Sequence, residues 1–442
     1  MDHRDVVTRL TVAALLAGLI GAAAVMAQSD GPPPPRTFGS DTTAVGVFTG
    51  QGTTAPGLQC DAPPDVSIPL ECSGFLASGL DGTLLDVTVR VPQTAGPHPL
   101  VVYVHGWGGS KNAGHQYDDV LAGAGKADAA GLTRGGGYTY LRYSTRGFGK
   151  SWGQTNFGDV DVELADLRSM VGQVVDDPRL QADPTAVAVM GASYGGAHSW
   201  LAAAQPSFTS LAGKSVRLRT AVPVAAGSDL LYSLIPNGKP NDATSPAGGV
   251  KLSYVNGFYA TGHNPTALAR NLRNARVFVS AGDGTPTSGD GTGGGVGNAE
   301  EAGVIRPMSD AYDAALKTAG INVTYQTHNG CHCWPDFQTE LRHAIAWGPF
   351  KPVVGQPKDW VNDTVATHGQ LWDITYRFES HPSAVVRFTR RGSRIRISAA
   401  GTPVTLTTSR GCILHLATPA NVQIPSTACA RGRRSSVVVG AA

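Results

Sequence analysis

Apolar and polar residues alternate from Leu84 to Val91, the pattern of a strand with one buried face, and 100–104 is an unbroken apolar run, the pattern of a strand buried on both faces. A further strand is expected at 138–143. The period then changes: Leu164, Leu167, Val171, Val174 and Val175 recur at helical spacing, and Asp159 and Asp161 stand ahead of them, where the helix dipole favours negative charge. Beyond this helix, strands are expected at 186–190, 220–226, 276–281 and 322–326, and helices at 195–204, 309–318 and 337–346. Such alternation implies a doubly wound, mostly parallel α/β sheet. The segment 231–275, rich in proline, glycine and aromatic residues, is too long for an ordinary connection and is expected to form a lid. After Lys351 helical periodicity ends, and short alternating segments at 371–378, 384–389, 394–398, 404–408 and 412–416 predict a small all-β domain over 351–442.

At the other end, Arg4 and Arg9 precede an apolar run that closes on Val25-Met26-Ala27, which reads as a secretion signal over 1–27. The alanine and glycine content of the run makes it only weakly hydrophobic, which argues against an uncleaved membrane anchor. Residues 28–75 are expected as a spacer, carrying four consecutive prolines, followed by a disulfide segment; 76–350 then holds the α/β domain.

The 442 residues accommodate one large α/β domain with small additions. At 41% hydrophobic and 15% charged, the chain can bury a core and carries few charges for a nucleic-acid binder. The net charge of +2 hides an asymmetry: nine arginines and no acidic residue lie between Ser380 and Ala442. Such a basic domain suits contact with an anionic envelope surface, but Arg394-Ile395-Arg396-Ile397 alternates as on the wet face of a sheet, and the solvated-face reading is preferred. In an exported chain the six cysteines are expected to be oxidised, and their order suggests Cys60 with Cys72, Cys331 with Cys333 and Cys412 with Cys429. Cys331-His332-Cys333 has no second ligand pair at metal-binding spacing, so no metal is expected.

The strongest chemical signal is Gly191-Ala192-Ser193-Tyr194-Gly195-Gly196, a G-x-S-x-G motif between a buried strand and a helix of small residues. Its glycines permit a sharp turn that presents the Ser193 hydroxyl, and the following helix start offers the Tyr194 N–H to an oxyanion. The loop after an earlier strand, His105-Gly106-Trp107-Gly108-Gly109, is expected to supply a second donor, the Trp107 N–H, with the indole lining an acyl pocket; His105 reads as a buried structural histidine. The base belongs between the last strand and the last helix, where His332 sits; His328 is the competitor, and His343 falls inside the helix. The flanking cysteines would clamp the His332 loop, and Trp334 beside it is a candidate substrate contact. The acid is open among Asp283, Asp290, Glu300 and Glu301.

These residues resemble the α/β-hydrolase superfamily. The His105–Gly109 segment, Leu141-Arg142-Tyr143-Ser144-Thr145-Arg146-Gly147-Phe148-Gly149-Lys150-Ser151 and the serine turn are similar to the X-prolyl dipeptidyl peptidase and cocaine-esterase group, which also carries a C-terminal β-domain. Gly282-Asp283-Gly284-Thr285-Pro286, Glu301 five residues before Arg306, and Asn329-Gly330-Cys331-His332-Cys333-Trp334-Pro335 resemble trehalose mycolyltransferases and related esterases. The second resemblance implies Glu301 as the acid and His332 as the base; the first would favour an aspartate close behind the strand, so Asp283 ranks second. The sequence departs from the mycolyltransferase pattern in its cysteines around His332. An α/β-hydrolase fold is thus expected, with a lid insertion and a small all-β C-terminal domain. The expected function is a secreted, monomeric serine hydrolase acting on carboxylic esters, small or polymeric, without cofactor or metal. The alternatives are a peptidase or amidase of the X-prolyl type, a mycolyltransferase-like acyltransferase, and an inert envelope-binding protein.

Overall fold

The computed structural model describes residues 57–61, 69–121, 137–155, 158–228, 257–290, 294–350, 357–425 and 429. The signal, the proline spacer and most of the expected lid lie outside the described residues. No helix among those described is long and apolar enough to cross a membrane.

The strands run β1 (Gly57–Asp61), β2 (Leu70–Ala77), β3 (Leu84–Val91), β4 (His98–Val104), β5 (Thr139–Tyr143), β6 (Ala182–Ala192), β7 (Ser207–Thr209), β8 (Ser215–Val224), β9 (Arg276–Gly282) and β10 (Val323–His328). The helices that matter for the site are α1 (Glu163–Asp176), α2 (Tyr194–Ala203), α3 (Gly294–Glu300), α4 (Arg306–Thr318) and α5 (Trp334–Trp347). Spatial order is β1-β2-β3-β5-β4-β6-β8-β9-β10. The pairs β1–β2, β2–β3 and β3–β5 are antiparallel, and every pair from β5 through β4, β6, β8 and β9 to β10 is parallel. Residues 57–61 and 70–75, expected outside the α/β domain, therefore belong to its first two strands, and Cys60 faces Cys72 in register, joined by a disulfide.

Alternation along the central strands sends side chains to two cores. Val102, Val104, Leu141, Val187 and Val189 face α1 through Leu164, Leu167, Val171 and Val174. Val101, Tyr103, Tyr140, Met190, Val222 and Phe278 face α5 through Phe337, Leu341 and Ala344. Helices on both faces explain why these strands read as continuous apolar runs. The parallel strands all end on one edge, and there β4, β6, β9 and β10 deliver the loops of the site.

The C-terminal strands are β11 (Asp359–Thr364), β12 (His368–Leu371), β13 (Ile374–Phe378), β14 (Val386–Arg391), β15 (Arg394–Ile397), β16 (Val404–Thr408), β17 (Ile413–Leu416) and β18 (Ala420–Gln423). Two sheets, β12-β13-β16-β17 and β11-β14-β15-β18, enclose their own apolar core of Trp360, Trp372, Tyr376, Phe388, Leu406 and neighbours. The expected single segment 371–378 is a hairpin instead, broken where Trp372 takes φ 57°. Arg394 and Arg396 are exposed while Ile395 and Ile397 are buried, the alternation read from the sequence.

This sandwich is bonded to the α/β domain. Strand β12 meets β7 at Gln370 opposite Ser207, and the Trp372 N–H donates to Ser207 Oγ at 2.8 Å. Buried Asn271 donates to the Asp363 and Ala204 carbonyls (2.8 and 3.2 Å) and accepts from the Asp363 N–H (2.8 Å). Asn271→Leu strands these groups, and unfolding in urea is expected to show a loss of about 2–4 kcal/mol. A midpoint unchanged from wild type would show that the bonds do not couple the two parts.

Candidate active site

Strand β6 ends at Ala192 and α2 begins at Tyr194, so the whole reversal falls on Ser193, at φ 54° and ψ −121°. A non-glycine residue there is strained and persists only where its surroundings hold it. The Ser193 N–H donates to the Val224 carbonyl (2.9 Å), and the Ala197 N–H to the Ser193 carbonyl (3.1 Å). A Cβ on Gly191 or Gly195 would overlap the Val104 carbonyl, so the motif glycines are what let the turn sit against β4.

His332 follows β10 and brings its Nε2 to 2.9 Å from Ser193 Oγ. Its Nδ1 lies 2.9 Å from Glu301 Oε2. Glu301 Oε1 accepts the Gly282 N–H at 2.8 Å, and the residue is fully buried. With Nδ1–H committed to a carboxylate, Nε2 is left to accept the serine proton. The histidine loop is tied at several points: the His332 N–H donates to the Gly297 carbonyl (2.9 Å), the Cys331 N–H to Asp336 Oδ2 (2.6 Å), and Cys331 is bonded to Cys333.

Glu300 stands on the other side of the ring, its Oε1 3.4 Å from Nε2. Burial pushes its carboxyl up to about 7, opposed by the attraction of His332 and assisted by repulsion from Glu301. Burial disfavours the charged imidazole, but the Glu300 and Glu301 carboxylates outweigh it and raise His332 to about 9.

The other residues singled out in the sequence fall in different places. Asp283 is partly exposed, accepts the Thr285 N–H at 2.8 Å and is held low by that bond; its carboxylate closes on Thr285, and the carboxylate at His332 Nδ1 is that of Glu301. Asp290 accepts from Thr287 and from Asn298 (3.0 Å), closing its own loop. Cys331, Cys333, Asp290 and Asp336 lie within 4.8 Å of one another, but the two sulfurs are spent on each other in a disulfide and are not thiolates. His328 bonds Glu340, which also accepts from Ser280 Oγ (2.8 Å), and His343 is exposed on α5. His105 is fully buried between the Gly106 carbonyl (2.7 Å) and the Thr145 N–H (3.1 Å), and burial lowers it to about 4. Trp334 packs edge-on to Phe337, which itself meets the His332 ring at 4.8 Å. The third disulfide joins Cys412 to Cys429.

Trp107 stands edge-on to Tyr194 (5.3 Å) and to Phe148 (5.1 Å), an aromatic wall beside the serine. Phe148 received no role from the sequence, since only folding sets the loop after β5 against α2. Within the same motif, Arg146 grips buried Asp166 (2.6 and 2.7 Å) and Ser151 Oγ donates to the Ser144 carbonyl (2.6 Å), so these residues build the loop. Behind the wall, His198 Nε2 approaches Glu163 at 3.3 Å and Nδ1 the Tyr194 carbonyl at 3.0 Å, bracing α2.

Residues 81–281 match the family model for X-Pro dipeptidyl-peptidase (S15 family). That span holds β3 to β9 with the strained serine at the end of a parallel strand. The chain has the α/β-hydrolase fold. The match covers less than half of the chain and ends before Glu301 and His332. No match was found among curated proteins. Among solved structures, the chain is similar to an S-formylglutathione hydrolase from Agrobacterium tumefaciens, at 13% identity and TM-score 0.44 over 65% of this chain and 96% of that one. It is also similar to an acetyl xylan esterase from Paenibacillus sp. R4, at 11% identity and TM-score 0.44 over 76% and 94%. Similarity to Porphyromonas gingivalis dipeptidyl peptidase 4, at 13% identity and TM-score 0.39, covers 63% of this chain but only 35% of that longer one.

Proposed function

We propose that this hydrolase cleaves carboxylic esters through an acyl-enzyme, with Ser193 as nucleophile, His332 as base and Glu301 as the acid that orients it. The observation that carries the reading is the continuous chain Ser193 Oγ to His332 Nε2 (2.9 Å) and His332 Nδ1 to Glu301 (2.9 Å). The Ser193 proton moves to Nε2 as Oγ attacks the ester carbonyl. The oxyanion then faces the N–H of Tyr194 at the start of α2 and that of Trp107. Collapse of the intermediate expels the alcohol, which takes the proton from Nε2, and water removes the acyl group by the reverse sequence.

The S15 match favours a second reading, cleavage of X-prolyl peptides. Such an enzyme must anchor a free amine two residues from the scissile bond, about 7 Å away along an extended chain. Glu300, within 3.4 Å of Nε2, stands at the reaction centre itself and too close to serve as that anchor. Export is supported by the segment 1–27 and by three disulfides, bonds that persist in oxidising compartments.

The test is hydrolysis of p-nitrophenyl esters from acetate to palmitate beside alanyl-prolyl p-nitroanilide. Ester turnover that disappears in Ser193→Ala is expected. Turnover of the anilide alone would overturn the ester reading in favour of the peptidase.

A further inference from the structure

His332 meets a carboxylate at each ring nitrogen. Glu301 takes Nδ1, and Glu300 lies against Nε2, the nitrogen that also faces Ser193. Consecutive side chains on a helix diverge by about 100°. Here the helix opens into a π turn at Glu301–Ile305, directly after Glu300 at the end of α3, and both glutamates reach one imidazole. Such π turns recur at functional sites. A serine, histidine and acid set needs only the carboxylate on Nδ1. Glu300 is nevertheless buried, 5% exposed, beside the nitrogen through which every proton of the reaction passes.

We propose that Glu300 is a catalytic residue of deacylation: it holds the attacking water and so selects water over alcohols as the acyl acceptor. The inference rests on Ser193 being the acylated nucleophile. In the acyl-enzyme, Oγ is bonded to the acyl carbon and has no proton to offer Nε2, so the incoming nucleophile takes that place. A water brings two hydrogens. One passes to Nε2 as the oxygen attacks the acyl carbon; the other stays on the oxygen and is accepted by Glu300 Oε1 as a hydrogen bond. When the tetrahedral intermediate collapses, the bond from carbon to Oγ breaks, the imidazolium returns its proton to Oγ, and the carboxylic acid leaves. Glu300 ends as it began. An alcohol has one hydroxyl hydrogen, which Nε2 requires, so its carbon substituent would face a buried carboxylate that needs a donor. A site built to bond a substrate hydrogen rejects the analogue that lacks it.

The test uses p-nitrophenyl butyrate with added methanol, at a pH above the titration of His332. Three quantities are measured for wild type, Glu300→Leu and Glu300→Gln: kcat/KM, kcat, and the ratio of butyric acid to methyl butyrate. In Glu300→Leu, kcat/KM, which reports acylation, is expected to stay near wild type. Its kcat should fall about tenfold to a hundredfold, the worth of one hydrogen bond to a charged group, and the share of methyl butyrate should rise. Glu300→Gln keeps an amide oxygen at the site and recovers part of the hydrolysis. Equal losses in kcat and kcat/KM, or an unchanged product ratio, overturn the assignment. Ester turnover by Ser193→Ala at the wild-type rate would instead mark failure of the serine reading beneath it.

Discussion

Substituting alanine for Ser193 is expected to lower kcat on p-nitrophenyl esters by about 10⁴- to 10⁶-fold, the cost of removing the proposed nucleophile, which would act as a unit with its base. Binding need not weaken, because the lost atom bonds carbon only during the reaction. Glu301→Gln should cost about 10³- to 10⁴-fold: an amide can present a donor to Nδ1, which turns the imidazole to the tautomer that cannot accept the serine proton. Asp283→Asn is the control, since its carboxylate closes on Thr285 and not on His332. Activity kept in Glu301→Gln and lost in Asp283→Asn would reverse the assignment of the acid. Gel filtration and thermal unfolding of each variant separate chemistry from misfolding, which matters for Glu301 because it also accepts the Gly282 N–H.

The second large effect is on pH dependence. His332 must be neutral to take the serine proton, and three carboxylates bear on it: Glu301 and Glu300 on the ring nitrogens, and Glu340 from α5, itself bonded to His328. With the ring raised to about 9, kcat/KM should climb with pH and level off only above that value. At pH 7 about one molecule in a hundred then carries the neutral base. Glu300→Gln removes one of the anions, so the rising limb should move about 1–2 units toward acid and kcat/KM near neutrality should increase. A profile already flat from neutral pH upward in wild type would show that the resting ring is not held protonated. An unshifted limb in Glu300→Gln would show that Glu300 does not act on it.

Much of the α/β frame was legible because its signals are local. The Leu84–Val91 strand follows from alternation alone, and the serine turn from glycines that must pass close to β4. The short spacing of the cysteines anticipated all three disulfides. Strand β2, Leu70–Ala77, escaped because Ser73 and Gly74 interrupt its apolar pattern, and its place in the sheet comes from a long-range ladder with β3. The break at Trp372 escaped for a related reason: the alternation continues across it, and only the left-handed backbone of one residue makes a hairpin.

The site divides in the same way. Ser193 and His332 were singled out by their positions after strands, and the structure brings them to 2.9 Å of each other. The choice of Glu301 over Asp283 came from family resemblance, and periodicity alone left it open. A carboxylate's partner depends on where a helix starts and how it turns, and the π turn after α3 sets Glu301 on Nδ1 and Glu300 beside Nε2. The sequence by itself therefore determined the strand and helix alternation, the strained serine and the paired cysteines, because each is encoded within a few neighbouring residues. Only the tertiary structure decided which acid meets the histidine, that a second acid lies at its other nitrogen, and that Asn271 binds the β-sandwich to the α/β domain, since those contacts join residues 31 to 92 positions apart.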